Sequence, residues 1–156
     1  MRFKETQRFR QPWIWLLVIL TALPIYWPLF RQADSSPKGL SVVLLILHLL
    51  MVVLLLLTRL TVELDKRNLS YMFFPFHLKK KRFALSRIRS ASIREFYPLK
   101  EKSFFGIHAS TSSKSYHIKG NWGLQLEFTS GRFLLLGTQR PEELKKVLSE
   151  LHIPEE

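Results

Sequence analysis

Two uncharged apolar runs, Trp13 to Phe30 and Leu40 to Leu57, constrain this chain more than any other feature; each is 18 residues long and nine residues separate them. At the helical rise per residue, a run of that length reaches about 27 Å, close to the ~30 Å hydrocarbon core of a bilayer. Lipid offers the backbone no hydrogen-bond partner, so both runs are expected as helices, and the short link makes them an antiparallel pair. The first run exceeds the apolar stretch of a signal peptide. Pro24, Trp27, Pro28 and Phe30 also stand where a cleavage site needs small residues, so a retained anchor is expected.

A mean hydropathy near zero conceals this division, because it averages an apolar N-terminal third with a basic remainder. The formal net charge of +12 is distributed as +3 over residues 1–11, +1 over the 31–39 link, +8 over residues 59–102 and zero over residues 103–156. Basic residues that flank membrane spans stay on the cytoplasmic side. The expectation is therefore a multi-pass protein of the cell inner membrane with both termini cytoplasmic. Trp13 and Trp15 are expected at the inner interface, and Tyr26 and Trp27 near the outer one. The chain has no cysteine, which excludes disulfides, thiol catalysis and cysteine-based metal sites.

The one ionisable residue inside the second run is His48, and Thr21 stands at matching depth on the first. An intramembrane ionisable group points to a proton path or a heme contact. Against this stands a packing role, with a neutral imidazole bonded to Thr21 or to the carbonyl freed by Pro24.

From Leu60 the periodicity becomes that of strands and turns. Leu60 to Leu64 alternates, Asp65 to Asn68 is turn-forming, and Leu69 to Phe76 is rich in aromatics, which together predict a hairpin. Phe83 to Ile88 follows, then a strand over Ala91 to Tyr97. Phe104 to Ala109 and Tyr116 to Ile118 flank a Ser/Thr-rich turn, and Leu124 to Phe128 turns at Ser130-Gly131 into Arg132 to Leu136. Pro141, Glu142 and Glu143 open a helix whose Leu144, Val147, Leu148 and Leu151 share one face. The polar-aromatic stretch before the first run (Phe3, Glu5, Gln7, Phe9) either lies along the interface or joins the downstream domain. The expected organisation is an N-terminal segment 1–11, spans 12–30 and 40–59 around an external loop 31–39, a cytoplasmic domain 60–153 and a tail 154–156. The expected fold class is membrane α+β, a two-helix transmembrane hairpin followed by a split β-barrel or curved sheet closed by one C-terminal helix.

Glu5 to Trp15 (ETQRFRQPWIW), Tyr97 to Ile107 (YPLKEKSFFGI), Gly120 to Leu126 (GNWGLQL) and Leu136 to Leu144 (LGTQRPEEL) carry a resemblance that covers nearly the whole chain. In these stretches the chain resembles an uncharacterised family of small bacterial two-span membrane proteins with a cytoplasmic PH-like domain. Where that family carries Gly-Gly-Trp-Gly-Ile-Arg, this chain has Ser103 to His108. The resemblance implies a PH-like fold and no activity.

The most pointed stretch of the polar part is Phe73 to Arg82 (FFPFHLKKKR). Two readings stand side by side. In one, Phe73, Phe74 and Phe76 enter the headgroup region while Lys79, Lys80, Lys81 and Arg82, with Arg87 and Arg89, meet anionic lipid at roughly 1 kcal/mol per cation. In the other, the aromatics form a buried strand and the cations a solvated turn. A basic patch also suits nucleic acid, but no recognition helix or aromatic RNA-binding signature accompanies it, so no nucleic-acid partner is expected. His108 and His117 would face each other if their hairpin turned between Ser112 and Ser113, yet two histidines do not make a closed metal site. There is no G-x-S-x-G, no H-E-x-x-H and no phosphate-binding glycine loop, so neither an enzyme nor a cofactor is expected. The expected function is a membrane-anchored binding or assembly module that contacts anionic lipid headgroups and a membrane protein partner or a second copy of itself. The alternative is a small accessory subunit of a membrane transporter or redox complex that uses His48.

Overall fold

A computed structural model describes residues 2–30, 38–97 and 107–151. Along the chain these form β1 (Phe3–Arg8), α1 (Pro12–Phe30), α2 (Lys38–Leu57), β2 (Arg59–Leu64), β3 (Asn68–Phe74), β4 (Lys81–Ala84) and a single 3-10 turn (Leu85–Arg87). Then follow β5 (Ile88–Glu95), β6 (Ile107–Ala109), β7 (Ser113–Tyr116), β8 (Trp122–Phe128), β9 (Phe133–Thr138) and α3 (Pro141–Glu150). The chain divides into two compact units: Met1–Arg8 with Arg59–Glu156, and Phe9–Thr58.

The first unit is built on two sheets, one ordered β1-β2-β3-β4 and one ordered β5-β8-β9-β7-β6. The β2–β3 hairpin forms as its alternation predicts, with Leu64 opposite Leu69 and the Asp65 amide donating to the Asn68 carbonyl at 2.9 Å. The β8–β9 hairpin likewise turns at Gly131, whose φ of 72° is open to glycine without strain. β7 runs parallel to β9, with Ser113 beside Phe133. The core takes the inward positions of both sheets, among them Leu60, Phe73, Leu124 and Leu136, together with Phe96 just beyond β5, and each such burial contributes roughly 1.5–3 kcal/mol. α3 packs against β1, β5 and β8 and buries Leu144, Val147 and Leu148, while Pro141 and two glutamates occupy its first turn.

The N-terminal stretch joins the sheet. β1 pairs antiparallel with β2, from Phe3 opposite Leu64 to Arg8 opposite Arg59, and buries Phe3, Glu5 and Gln7 while exposing the alternate residues. Among the described residues no cation pairs with buried Glu5, and neutral donors satisfy it: Thr138 Oγ1 at 2.6 Å, the Gln139 amide at 2.8 Å and Gln7 Nε2 at 3.0 Å. Gln7 Nε2 also donates to the Gly137 carbonyl at 2.7 Å, so β1 fastens one sheet to the end of the other.

These facts correct the expected fold class, a two-helix transmembrane hairpin followed by a PH-like split barrel with one C-terminal helix. A strand precedes both apolar helices, which are inserted between paired neighbours of one sheet, and the strands form two sheets of four and five. Among the described residues a single helix, Gly39–Leu57, is long and apolar enough to cross a membrane, and the apolar stretch Pro12–Trp27 is shorter. The physical reason is that β1 is completed by a partner more than fifty residues away, and its buried face carries Glu5 and Gln7 rather than an apolar pattern.

In the second unit, α1 and α2 pack along each other while most of their large apolar side chains stay exposed, Leu23 at 62% and Leu50 at 63% among them. Of the two partners that the packing reading offered His48, Thr21 is engaged elsewhere. The Thr21 hydroxyl donates within its own helix to the carbonyls of Leu17 and Val18, a common outlet for a helical threonine. His48 is buried and meets Tyr26 edge-on, with ring centroids 5.9 Å apart. Trp13 is exposed, and Trp15 Nε1 donates to the Phe9 carbonyl at 3.3 Å.

The register of β6 and β7 also differs from the expected one. Ala109 faces Lys114 and His108 faces Ser115, so the turn centres on Thr111-Ser112 and the two histidines do not meet. His117 lies beyond β7, buried edge-on against Phe96 at 4.9 Å. Of the loop expected outside the membrane at 31–39, residues 31–37 fall outside the described residues, as do the stretch 98–106 with Glu101 and residues 152–156; residues 38 and 39 belong to α2.

Candidate functional site

The strands and turns of the first unit line a cavity of about 340 Å³ that is open to solvent on one side, where Arg87, Lys114 and Arg132 are exposed. Tyr71 and Lys81 enter it as direct cross-strand partners on β3 and β4, and Phe83 lies two residues along on the same face. Arg87 comes from the 3-10 turn, Thr111 and Ser112 from the β6–β7 turn, Lys114 from β7, and Thr129, Ser130 and Arg132 from the β8–β9 turn. Backbone bonds, two of them long-range and one closing the β8–β9 turn, hold these segments together. The Thr129 amide donates to the Arg87 carbonyl at 3.0 Å, the Phe133 amide to the Ser112 carbonyl at 2.8 Å, and the Phe128 amide to the Arg132 carbonyl at 2.9 Å.

One wall is aromatic. Tyr71 and Phe83 stack nearly parallel at 6.1 Å, and Phe83 meets Phe128 at 4.9 Å. Burial raises the phenols of Tyr71 and Tyr116, so both keep their protons at neutral pH. The polar part of the lining is cationic: Lys81, Arg87, Lys114 and Arg132 contribute charge, four hydroxyl residues contribute donors, and no carboxylate is among the lining residues. Arg132 Nε donates to Ser130 Oγ at 3.1 Å. Lys81 is half-buried, and its ammonium is held below the ordinary lysine range first by that burial and then by the charge of Lys114. His77, edge-on to both Tyr71 and Tyr116, is pushed down by burial and then by Lys81 and Lys114. A cavity with this lining attracts anions and repels cations.

The cations singled out in the sequence are dispersed. Lys81 and Arg87 reach the cavity. Lys80 Nζ instead donates to both carboxylate oxygens of Glu63, at 2.9 and 2.8 Å, and Arg89 pairs with Glu127 at 3.0 Å. Lys79 and Arg82 are exposed and do not line the cavity. The aromatics divide as well: Phe73 is fully buried in the core, the Arg59 guanidinium covers half-buried Phe74 at 5.4 Å, and Phe76 is 59% exposed. For Phe73 the buried-strand reading holds. Sequence reasoning missed Lys114 and Arg132, which stand inside segments whose Ser, Thr and Gly content announces turns. A cation within each of two hydroxyl-rich turns was the available signal.

Lys80 belongs to a second basic cluster. Lys4 at 3.1 Å, Lys80 at 2.8 Å and Arg2 at 3.8 Å converge on Glu63, whose side chain is 6% exposed. Lys80 chiefly, then Lys4, hold this carboxyl below its ordinary value against the opposing effect of burial. Among the described residues no group of three or more histidine or carboxylate side chains is arranged to hold a metal ion. Comparison of the chain with protein-family models and with curated proteins finds no match, so the functional reading rests on this geometry.

Proposed function

We propose that this protein is a membrane-anchored binding module whose basic sheet unit engages an anionic membrane component and a protein partner or second copy. One observation carries the anchorage: the apolar helix Gly39–Leu57 is only 6% buried, whereas the core helix of a soluble protein hides most of its apolar side chains. The pairing of β1 with β2 adds a topological constraint. The chain leaves the sheet after Arg8 and rejoins it at Arg59, its direct cross-strand partner, so it crosses any bilayer an even number of times. The net charges of +3 and +8 on the two flanking segments support a cytoplasmic sheet unit.

Among the described residues the sheets end in the edge strands β1, β4, β5 and β6, and such edges accept a further strand from a partner or a second copy. The edge contact of His48 with Tyr26 is a packing arrangement, which supports the module ahead of the accessory-subunit reading. Extraction of membranes at alkaline pH, then purification in neutral detergent with mass spectrometry of retained lipid and light scattering of the particle, tests the reading. The full chain is expected to resist alkaline extraction and to retain anionic lipid or a second copy. Release into the alkaline supernatant overturns the anchorage, and a lipid-free monomer overturns the module.

A further inference from the structure

We propose that the four-cation cavity binds a phosphate group carried on an apolar or aromatic body. This deepens the binding-module reading and rests on it, but it does not depend on membrane anchorage. Three observations carry it. The first is charge without compensation. Arg89 has Glu127, Arg140 has Glu143, and Arg2, Lys4 and Lys80 have Glu63. Lys81, Arg87, Lys114 and Arg132 converge on one space whose lining, among the described residues, holds no acid. Like charges gathered around a cavity repel until an anion enters, and Lys81 is set inward, directly across from buried Tyr71.

The second is donor capacity. Beside the four cations stand the hydroxyls of Thr111, Ser112, Thr129 and Ser130. That supply exceeds the roughly four acceptor sites of a carboxylate and suits a phosphate monoester, which carries about −1.5 to −2 charge on three strong acceptor oxygens. Arginine adds planar, two-point recognition of the same group. The third is the wall: Tyr71, Phe83, Phe128 and Phe133 give the ligand's attached group an apolar and ring-stacking surface beside the charge. A volume of about 340 Å³ lies at the small end of ligand cavities, the size of one headgroup or one small phosphate ester.

A phosphate of this kind comes either from a lipid headgroup or from a soluble ester, and calorimetric titration of the full chain in neutral detergent separates the sources. The probes are phenyl phosphate, inorganic phosphate, dioctanoyl phosphatidic acid and dioctanoyl phosphatidylcholine. Phenyl phosphate or the phosphatidic acid is expected to bind more tightly than inorganic phosphate, with the phosphatidylcholine inert. Preference for the phosphatidic acid assigns a lipid source, and preference for phenyl phosphate a soluble one. Lys114→Gln and Arg132→Gln, both at exposed positions, should each weaken binding about tenfold, the loss of one charge-assisted hydrogen bond. Arg82→Gln, outside the cavity, should change it by less than about twofold. Thermal melts of each variant confirm that the fold is intact. Absence of binding by every phosphate probe, or equal binding by folded Lys114→Gln, overturns the site. Inorganic phosphate binding as tightly as phenyl phosphate and phosphatidic acid overturns the apolar half. Alkaline extraction reads the anchor and leaves this titration untouched, so the two failures are distinguishable.

Discussion

Two basic clusters in the sheet unit face opposite electrostatic situations. At Glu63, Arg2, Lys4 and Lys80 reach a carboxylate that the fold itself supplies. At the cavity, the described lining residues that accompany Lys81, Arg87, Lys114 and Arg132 include no acid. The first is a closed arrangement that ties the N-terminal strand and the segment before β4 onto β2. The second is electrostatically incomplete. Positive charge in a sequence therefore does not by itself mark a binding surface; what marks one is positive charge that the fold leaves uncompensated around a space.

Removing Glu63 should break this contrast most strongly. Glu63→Gln leaves three cations converging on a neutral amide and is expected to cost about 1–3 kcal/mol by denaturant unfolding, discounted because Arg2, Lys4 and Lys80 are themselves partly exposed. The same carboxyl gives a pH signature. Its folded value lies below the ordinary 4.5, so its contribution is complete above that pH and is lost as pH falls through the folded value. Melting temperatures of the parent and Glu63→Gln should converge in acid and diverge at neutral pH.

The cavity should behave in the opposite sense. Lys81→Met removes a half-buried cation that has no acid beside it in the lining, and is expected to raise stability by about 0.5–1 kcal/mol while weakening phenyl phosphate binding. The Lys81 ammonium is depressed in the fold, so its penalty is complete below the folded value and is relieved as pH rises toward 10.5. Alkaline pH should therefore narrow the gap between parent and Lys81→Met in unfolding experiments. The smallest effect belongs to Arg82→Gln, exposed and outside both clusters, at under about 0.5 kcal/mol in the same assay.

How far the sequence could be read follows the range of the interactions. The β2–β3 and β8–β9 hairpins and the apolar face of α3 are local patterns, and the residues that announce them form them. β1 was not legible as a strand, because its inward face carries Glu5 and Gln7 and its partners, β2 and the end of β9, lie beyond the apolar insert. The parallel pairing of β7 with β9 carries no short-range signal. The cavity is a still longer-range product. Arg87 and Lys81 were visible as part of a basic run, but Lys114 and Arg132 join them only because backbone bonds fasten Ser112 to Phe133 and Arg87 to Thr129.

The most direct measurement of the central claim is an NMR titration of the Lys81 side chain in the full chain, with and without saturating phenyl phosphate. The Lys81 midpoint is expected below the ordinary 10.5 in the free protein and higher when the phosphate is bound, because an anion beside the ammonium favours its charged form. A midpoint that stays where it was would contradict that claim.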